Sequence, residues 1–202
     1  MKSLIVLCLM IAPLASQAFF EARATFGVTN KKTETSDLCS NCTTIGAPSI
    51  APAFIGADAI IKIPLFPLGL GVRYEGMNVS GTSGNYEANI KYTRTAFLVN
   101  YRIIDTILHF GPIASYGISH SGSVSIKESG TQRVNFSADG ASSYSVGLEL
   151  GVKPLIVIPL AIGAEAGYMG YKWNEVSNTV DGTKKSLDLS GTYIKVFIGL
   201  DI

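Results

Sequence analysis

The sequence predicts an all-β fold, an eight-stranded antiparallel up-and-down transmembrane β-barrel. Three observations predict it. Stretches such as YSVGLELGVKP (144–154) set Tyr144, Val146, Leu148, Leu150 and Val152 on one phase and Ser145, Gly147, Glu149, Gly151 and Lys153 on the other, as a strand with two unlike faces requires. The chain of 202 residues is 47% hydrophobic and only 15% charged, against about 25% charged for soluble domains. Yet beyond the N-terminus it has no apolar run of the roughly 20 residues that a spanning helix needs. Finally, the connections between alternating stretches are by turns long and short.

The opening segment MKSLIVLCLMIAPLASQA combines Lys2, an apolar core from Leu4 to Leu14 and small residues at Ser16 and Ala18. It reads as a secretory signal peptide over 1–18, cleaved after Ala18 and holding Cys8, with the barrel over 19–202. Without Lys2 the remainder balances 15 basic against 15 acidic residues. No basic run exceeds the Lys31-Lys32 and Lys184-Lys185 pairs, so nucleic acid is not an expected partner.

The eight strands follow in order. FFEARATFGV sets Phe20, Ala22, Ala24, Phe26 and Val28 against Glu21, Arg23, Thr25 and Gly27. AFIGADAIIKI sets Ala53, Ile55, Ala57, Ala59, Ile61 and Ile63 against Gly56, Asp58 and Lys62. LGLGVRYE opposes Leu68, Leu70, Val72 and Tyr74 to Gly69, Gly71, Arg73 and Glu75. RTAFLVNYRI opposes Phe97, Val99, Tyr101 and Ile103 to Arg94, Leu98, Asn100 and Arg102. ILHFGPIASYGIS opposes Leu108, Phe110, Pro112, Ala114, Tyr116 and Ile118 to His109, Gly111, Ile113, Ser115 and Gly117. YSVGLELGVKP is sixth. PLAIGAEAGY opposes Leu160, Ile162, Ala164, Ala166 and Tyr168 to Ala161, Gly163, Glu165 and Gly167. YIKVFIGLDI opposes Ile194, Val196, Ile198, Leu200 and Ile202 to Tyr193, Lys195, Phe197, Gly199 and Asp201. Each is about as long as the 9–11 residues that a tilted strand needs to cross a bilayer.

No charge falls on the apolar phase. The other phase carries Glu21, Asp58, Glu75, Glu149, Glu165 and Asp201 with Arg23, Lys62, Arg73, Arg94, Arg102, Lys153 and Lys195. A soluble lipocalin-like barrel also alternates, with its faces reversed. The polar phase here is mostly glycine and alanine with one or two charges per strand, and the charges nearly balance. That composition suits a packed interior, where unpaired charge is costly, better than a solvated surface. The long connections (30–50, 76–93, 119–142, 170–191) then lie outside the cell, and the short ones (64–67, 105–106, 154–159) face the periplasm. In this orientation Tyr74, Tyr116, Tyr144 and Tyr168 form an outer aromatic girdle, and Phe20, Tyr101 and Phe110 an inner one. Pro112 has no edge to occupy in a closed barrel, so a bulge near 112 is expected.

These features together resemble the outer membrane protein A barrel and its small OmpX-type relatives. The resemblance implies a place in the cell outer membrane, among lipid bilayer and lipopolysaccharide. It also implies recognition by the barrel-assembly machinery through the C-terminal strand YIKVFIGLDI, although Ile202 replaces the family's usual final aromatic residue.

An eight-stranded barrel is just wide enough to be filled by side chains. Tyr193, Phe197, Leu98 and Ile113 join the charged set in filling it. Glu21, Arg23, Asp58, Arg73, Glu149 and Lys195 therefore read as a structural salt-bridge core, the alternative being a narrow gated channel for small solutes. The expected working surface is the long loops, with a surface or host ligand and an adhesion-like role. Segments 77–90 and 121–137 alternate about turns at 81–84 and 128–131, which predicts strands continuing past the membrane, with Val124 and Ile126 paired to Val134 and Phe136. Cys39 and Cys42, in CSNC of the first long loop, are expected to form a disulfide in an exported chain. Two more zinc ligands are wanting, so neither metal nor cofactor is expected. A lipid A-modifying enzyme is the weaker alternative. Ser119, His120 and Ser121 sit at the right end of their strand, but no acid orients His120. His109 reads as a hydrogen-bonded plug, and no catalytic residue is assigned.

Overall fold

The computed structural model describes residues 19–30, 53–64, 66–83, 85–138, 140–154, 159–178 and 184–201. The expected signal peptide and the Cys39–Cys42 pair lie outside these residues. Every regular element described is a strand: β1 (Phe20–Thr29), β2 (Ala53–Lys62), β3 (Leu68–Ser83), β4 (Tyr86–Tyr101), β5 (Ile104–Asp105), β6 (Leu108–Glu128), β7 (Thr131–Ala138), β8 (Ala141–Val152), β9 (Leu160–Asn178), β10 (Lys184–Asp188) and β11 (Gly191–Asp201).

Eight of them close a ring in the order β1-β2-β3-β4-β6-β8-β9-β11, each antiparallel to its neighbours. The seam is β11 on β1, from Glu21↔Asp201 to Thr29↔Tyr193. Closure pairs the backbone groups of both terminal strands, the condition for a sheet to stand in hydrocarbon. Side chains alternate as the sequence predicts. Phe26, Val72, Phe97, Val146, Leu150 and Ile198 face outward and are exposed, while Arg23, Asp58, Arg73, Arg94, Glu149 and Lys195 face inward and are buried. The lipocalin orientation is thereby excluded.

The expected bulge near Pro112 is not there. Leu108 to Tyr116 run in unbroken register with Val152 to Tyr144. On the other flank the β4–β6 ladder stops at Asn100↔Ile113, so a missing donor at Pro112 costs no bond on that side. The irregularity falls instead between Thr95↔Ser119 and Ala96↔Gly117, which leaves Ile118 unpaired. One extra residue reverses the side-chain phase. Below it His109, Ile113 and Ser115 point inward. Above it Val124 and Ile126 do, although they share sequence phase with the outward Tyr116 and Ile118.

Beyond the bulge the strands rise above the apolar belt. The β6–β7 hairpin closes at Glu128↔Thr131, with Val124↔Phe136 and Ile126↔Val134 paired as predicted. Ser129 (φ 49°) and Gly130 (φ 82°) form the turn. Two successive positive φ values give the turn twist that suits a two-residue hairpin. The β3–β4 hairpin pairs as far as Ser83↔Tyr86, beyond the predicted turn at 81–84. β9 continues to Asn178 and pairs with β10, neither of which the sequence reading anticipated.

Candidate functional site

The inward phase assembles into layers. Near the short-connection end, Arg23 donates from Nε to Glu21 (2.7 Å) and from Nη1 to Glu149 (2.8 Å). Arg102 reaches the same two carboxylates, from Nη2 to Glu21 (2.6 Å) and from Nε to Glu149 (3.1 Å). Asn100 Nδ2 adds a third bond to Glu149 at 3.1 Å. Lys62 joins Glu21 (3.4 Å) to Asp201, and Lys153 joins Asp201 (2.8 Å) to Asp105 (3.0 Å). This lower layer sets Glu21, Asp105, Glu149 and Asp201 against Arg23, Lys62, Arg102 and Lys153, and sums to zero.

The upper layer also sums to zero. Arg73 grips Asp58 with two bonds (2.8 and 2.9 Å) and Glu165 with two more (3.0 and 2.7 Å). Such fork-on-carboxylate pairs are among the strongest polar contacts available to side chains. Arg94 Nε donates to Glu75 at 2.5 Å, and Lys195 bonds Glu75 and lies 3.7 Å from Glu165. Tyr193 donates its hydroxyl to Glu165 at 2.5 Å. The guanidinium of Arg94 also reaches Ser143 (3.3 Å) and Ser115 (3.2 Å), and Ser115 bonds Ser145 at 2.6 Å.

Between the layers lies an apolar septum. Ile60, Leu98 and Ile113 form one buried cluster. Phe197 is buried on β11 two residues from Lys195, with the Arg23 guanidinium 4.3 Å from its ring centre. Above the upper layer sits a larger apolar core, including Phe54, Met77, Tyr92, Val124, Ile126, Tyr171, Trp173, Leu187 and Leu189. Tyr92 and Tyr171 lie 4.5 Å apart between ring centres, and Trp173 meets both edge-on.

All thirteen charged residues picked out in the sequence point inward, and of the same-strand neighbours only Glu21 and Arg23 bond each other among the described residues. Asp58 and Lys62, Arg73 and Glu75, and Glu149 and Lys153 are same-strand neighbours that bond other partners. Asp105, which the sequence placed in a turn, supplies the seventh acid and completes the balance. Tyr193 and Asn100 as bonding partners, and the whole upper core, were also missed. His109 corrects another expectation. Its ring is buried and neither nitrogen has a hydrogen-bond partner among the described residues; it stacks on Phe197 at 5.8 Å instead.

Tyr74, Tyr116, Tyr144 and Tyr168 are exposed on the stretches of their strands toward the long hairpins, and Phe20 and Tyr101 at the opposite strand ends, while Phe110 is half-buried. His120 Nε2 lies 2.8 Å from Ser143 Oγ, and its bonding partner is therefore neither Ser119 nor Ser121. Ser143 is buried, and among the described residues no acid is paired with the imidazole.

No family model matches the chain, and no curated protein matches it. Solved structures do. Neisserial surface protein A is 12% identical, at a TM-score of 0.50 over 91% of this chain and 97% of that one. A major outer membrane protein of Thermus thermophilus is 7% identical, at 0.53 over 90% and 98%. Ail, the attachment invasion locus protein of Yersinia pestis, solved in complex with the heparin analogue sucrose octasulfate, is 10% identical, at 0.54 over 90% and 96%. At such identities the likeness is one of fold. A closed barrel with an apolar belt outside and its charges inside belongs in lipid, and the chain is an eight-stranded β-barrel of the outer-membrane type, placed in the cell outer membrane.

Proposed function

We propose that this chain is a non-conducting, non-enzymatic barrel that carries a surface-interaction sheet outside the cell. The observation that supports it is the layering: two ionic layers, each self-neutral, separated by Ile60, Leu98, Ile113 and Phe197. A hydrated path would have to break ion pairs in both layers and wet an apolar septum. The interior is therefore a structural plug, and the working parts are the β3–β4, β6–β7 and β9–β10 extensions, whose outer faces present Asn78, Ser80, Thr82, Glu87, Lys91, Ser121, Ser123, Lys127 and Lys172. In this reading residues 1–18 direct export, Cys39 and Cys42 close a disulfide in the first loop, and the two aromatic girdles mark the lipid boundaries. Lipopolysaccharide surrounds the outer rim, and β11 is the strand offered to the barrel-assembly machinery.

Two experiments test this. Planar-bilayer recordings are expected to show no sustained open state; one above leak restores the narrow-channel alternative. Deleting 123–136 is expected to reduce surface adhesion while the barrel still folds, and unchanged adhesion removes that hairpin from the working surface. A sulphated glycan is the first soluble probe, since Ail was solved with a sulphated heparin analogue.

A further inference from the structure

The two ends of the barrel treat apolar residues differently. At the outer end the exposed large apolar side chains, among those whose exposure is described, run out to Val28, Ile55, Ile118 and Ile194, close to the outer tyrosines. At the other end the exposed apolar surface does not stop at Phe20 and Tyr101. It continues onto Phe19, just ahead of β1, and the short connections, where Phe19, Phe66, Ile103, Ile104 and Ile107 are 55%, 68%, 63%, 43% and 61% exposed. Short turns facing water are ordinarily polar, and a contiguous apolar patch marks a contact surface.

Backbone bonds bind these positions into one rim. Lys62 N–H donates to Phe19 O (2.9 Å), Arg102 N–H to Pro67 O (2.7 Å) and Lys153 N–H to Ile107 O (2.7 Å). Asp105 and Lys153 are part-exposed and Arg102 is buried, but all three are held in ion pairs. Arg102, Asp105 and Lys153 are bonded to one another and to Glu21, Glu149 and Asp201.

The patch is continuous with the lipid-facing belt, and that continuity identifies its occupant. On β6 the belt runs from Leu108 to Ile118. At about 3.3 Å per residue and a tilt near 40° it spans roughly the 25 Å of an outer-membrane apolar band. Ile104 stands opposite Phe110 and Ile107 directly precedes Leu108, so the turn residues carry on the lower end of that band without a polar break. We propose that the short-connection rim is a lipid-immersed foot, with Phe19, Phe66, Ile103, Ile104 and Ile107 inserted among the phospholipid chains of the periplasmic leaflet. The leaflet then covers the short connections as well as the strands.

The proposal rests on the membrane reading, and the test separates the two. Full-length protein is reconstituted in phosphatidylcholine vesicles with or without bromine on the acyl chains. Trp173, the sole tryptophan, lies in the upper core and gives the baseline. Phe66→Trp and Ile103→Trp each add one reporter at an already exposed site, and Val146→Trp adds one in the belt as a control. The expected result is that the added emission of both rim reporters is blue-shifted, is largely lost in brominated lipid and resists aqueous iodide. If Val146→Trp is quenched by bromine while the rim reporters are quenched by iodide, the rim stands in water and the proposal falls. If the rim reporters are shielded from both quenchers until the protein is diluted in lipid, a second copy covers them and the proposal also falls. If Val146→Trp itself escapes brominated lipid, the membrane reading fails with it.

Discussion

Glu149 and Glu165 stand directly opposite each other on β8 and β9, yet each belongs to a different ionic layer. Glu149 turns to Arg23 and Arg102 below the septum, and Glu165 to Arg73 and Tyr193 above it. Two like charges on facing positions of a sheet repel. Here the repulsion is relieved by sending the carboxylates toward opposite ends of the lumen, and this divergence separates the two layers.

The two acids therefore differ in what they leave behind. Glu149→Ala takes a partner from two arginines at once and leaves both to share Glu21, and breaking a buried pair costs about 3–5 kcal/mol. Glu165→Ala leaves Arg73 still held by both oxygens of Asp58. The expected order of stability, read from the temperature at which the folded band disappears on a gel, is wild type, then Glu165→Ala, then Glu149→Ala.

Opening the septum should matter more for permeation than removing apolar bulk elsewhere. A Leu98→Ala, Phe197→Ala double variant is expected to give stepwise currents in planar bilayers. Leu148→Ala, on the outer face, should remain as silent as the wild type.

Gly122 makes room for the indole of Trp173. A Cβ added there would fall 2.0 Å from Trp173 Cζ2. Gly122→Ala is expected to push the ring aside, red-shift the protein's tryptophan emission and destabilise it by about 1–3 kcal/mol, as overpacking does. Gly130→Ala is expected to leave the emission unchanged, because no atom lies near its added Cβ.

Deleting Ile118 removes the phase reversal in β6. Val124 and Ile126 would keep their inward phase, because the residue removed is the one that has no partner on β4. The β6–β7 hairpin of the deletion variant is therefore expected to resist limited proteolysis near 129–130 as the wild type does, with the heat-modifiable gel shift surviving in both; new cutting there would show that the bulge itself holds the upper core.

The strands and their two faces were legible because period-two alternation and the separation of charge from apolar bulk coincide along each one. The pairing inside was not. Arg73 and Glu165 lie 92 residues apart and Arg23 and Glu149 lie 126 apart, so their meeting depends on ring closure and not on local spacing. Asp105 was overlooked because it sits in a turn three residues from Arg102. The upper core was hidden in segments read as loops, although Tyr171-Lys172-Trp173 keeps the inward phase of Glu165. β10 is five residues, Lys184–Asp188, too short and too polar to show a face. The phase reversal at Ile118 left no mark, since Gly117, Ile118 and Ser119 are ordinary strand residues. The polar bond expected of His109 is missing because burial does not by itself supply a polar partner, and an aromatic one serves instead.

The seam between β1 and β11 has a consequence for biogenesis. Glu21 finds Asp201 only once all of the intervening chain has been made, so β1 and β11 cannot cap each other before then. A barrel left open at this seam has two raw flanks beside a greasy exterior, the combination that invites other chains to add on.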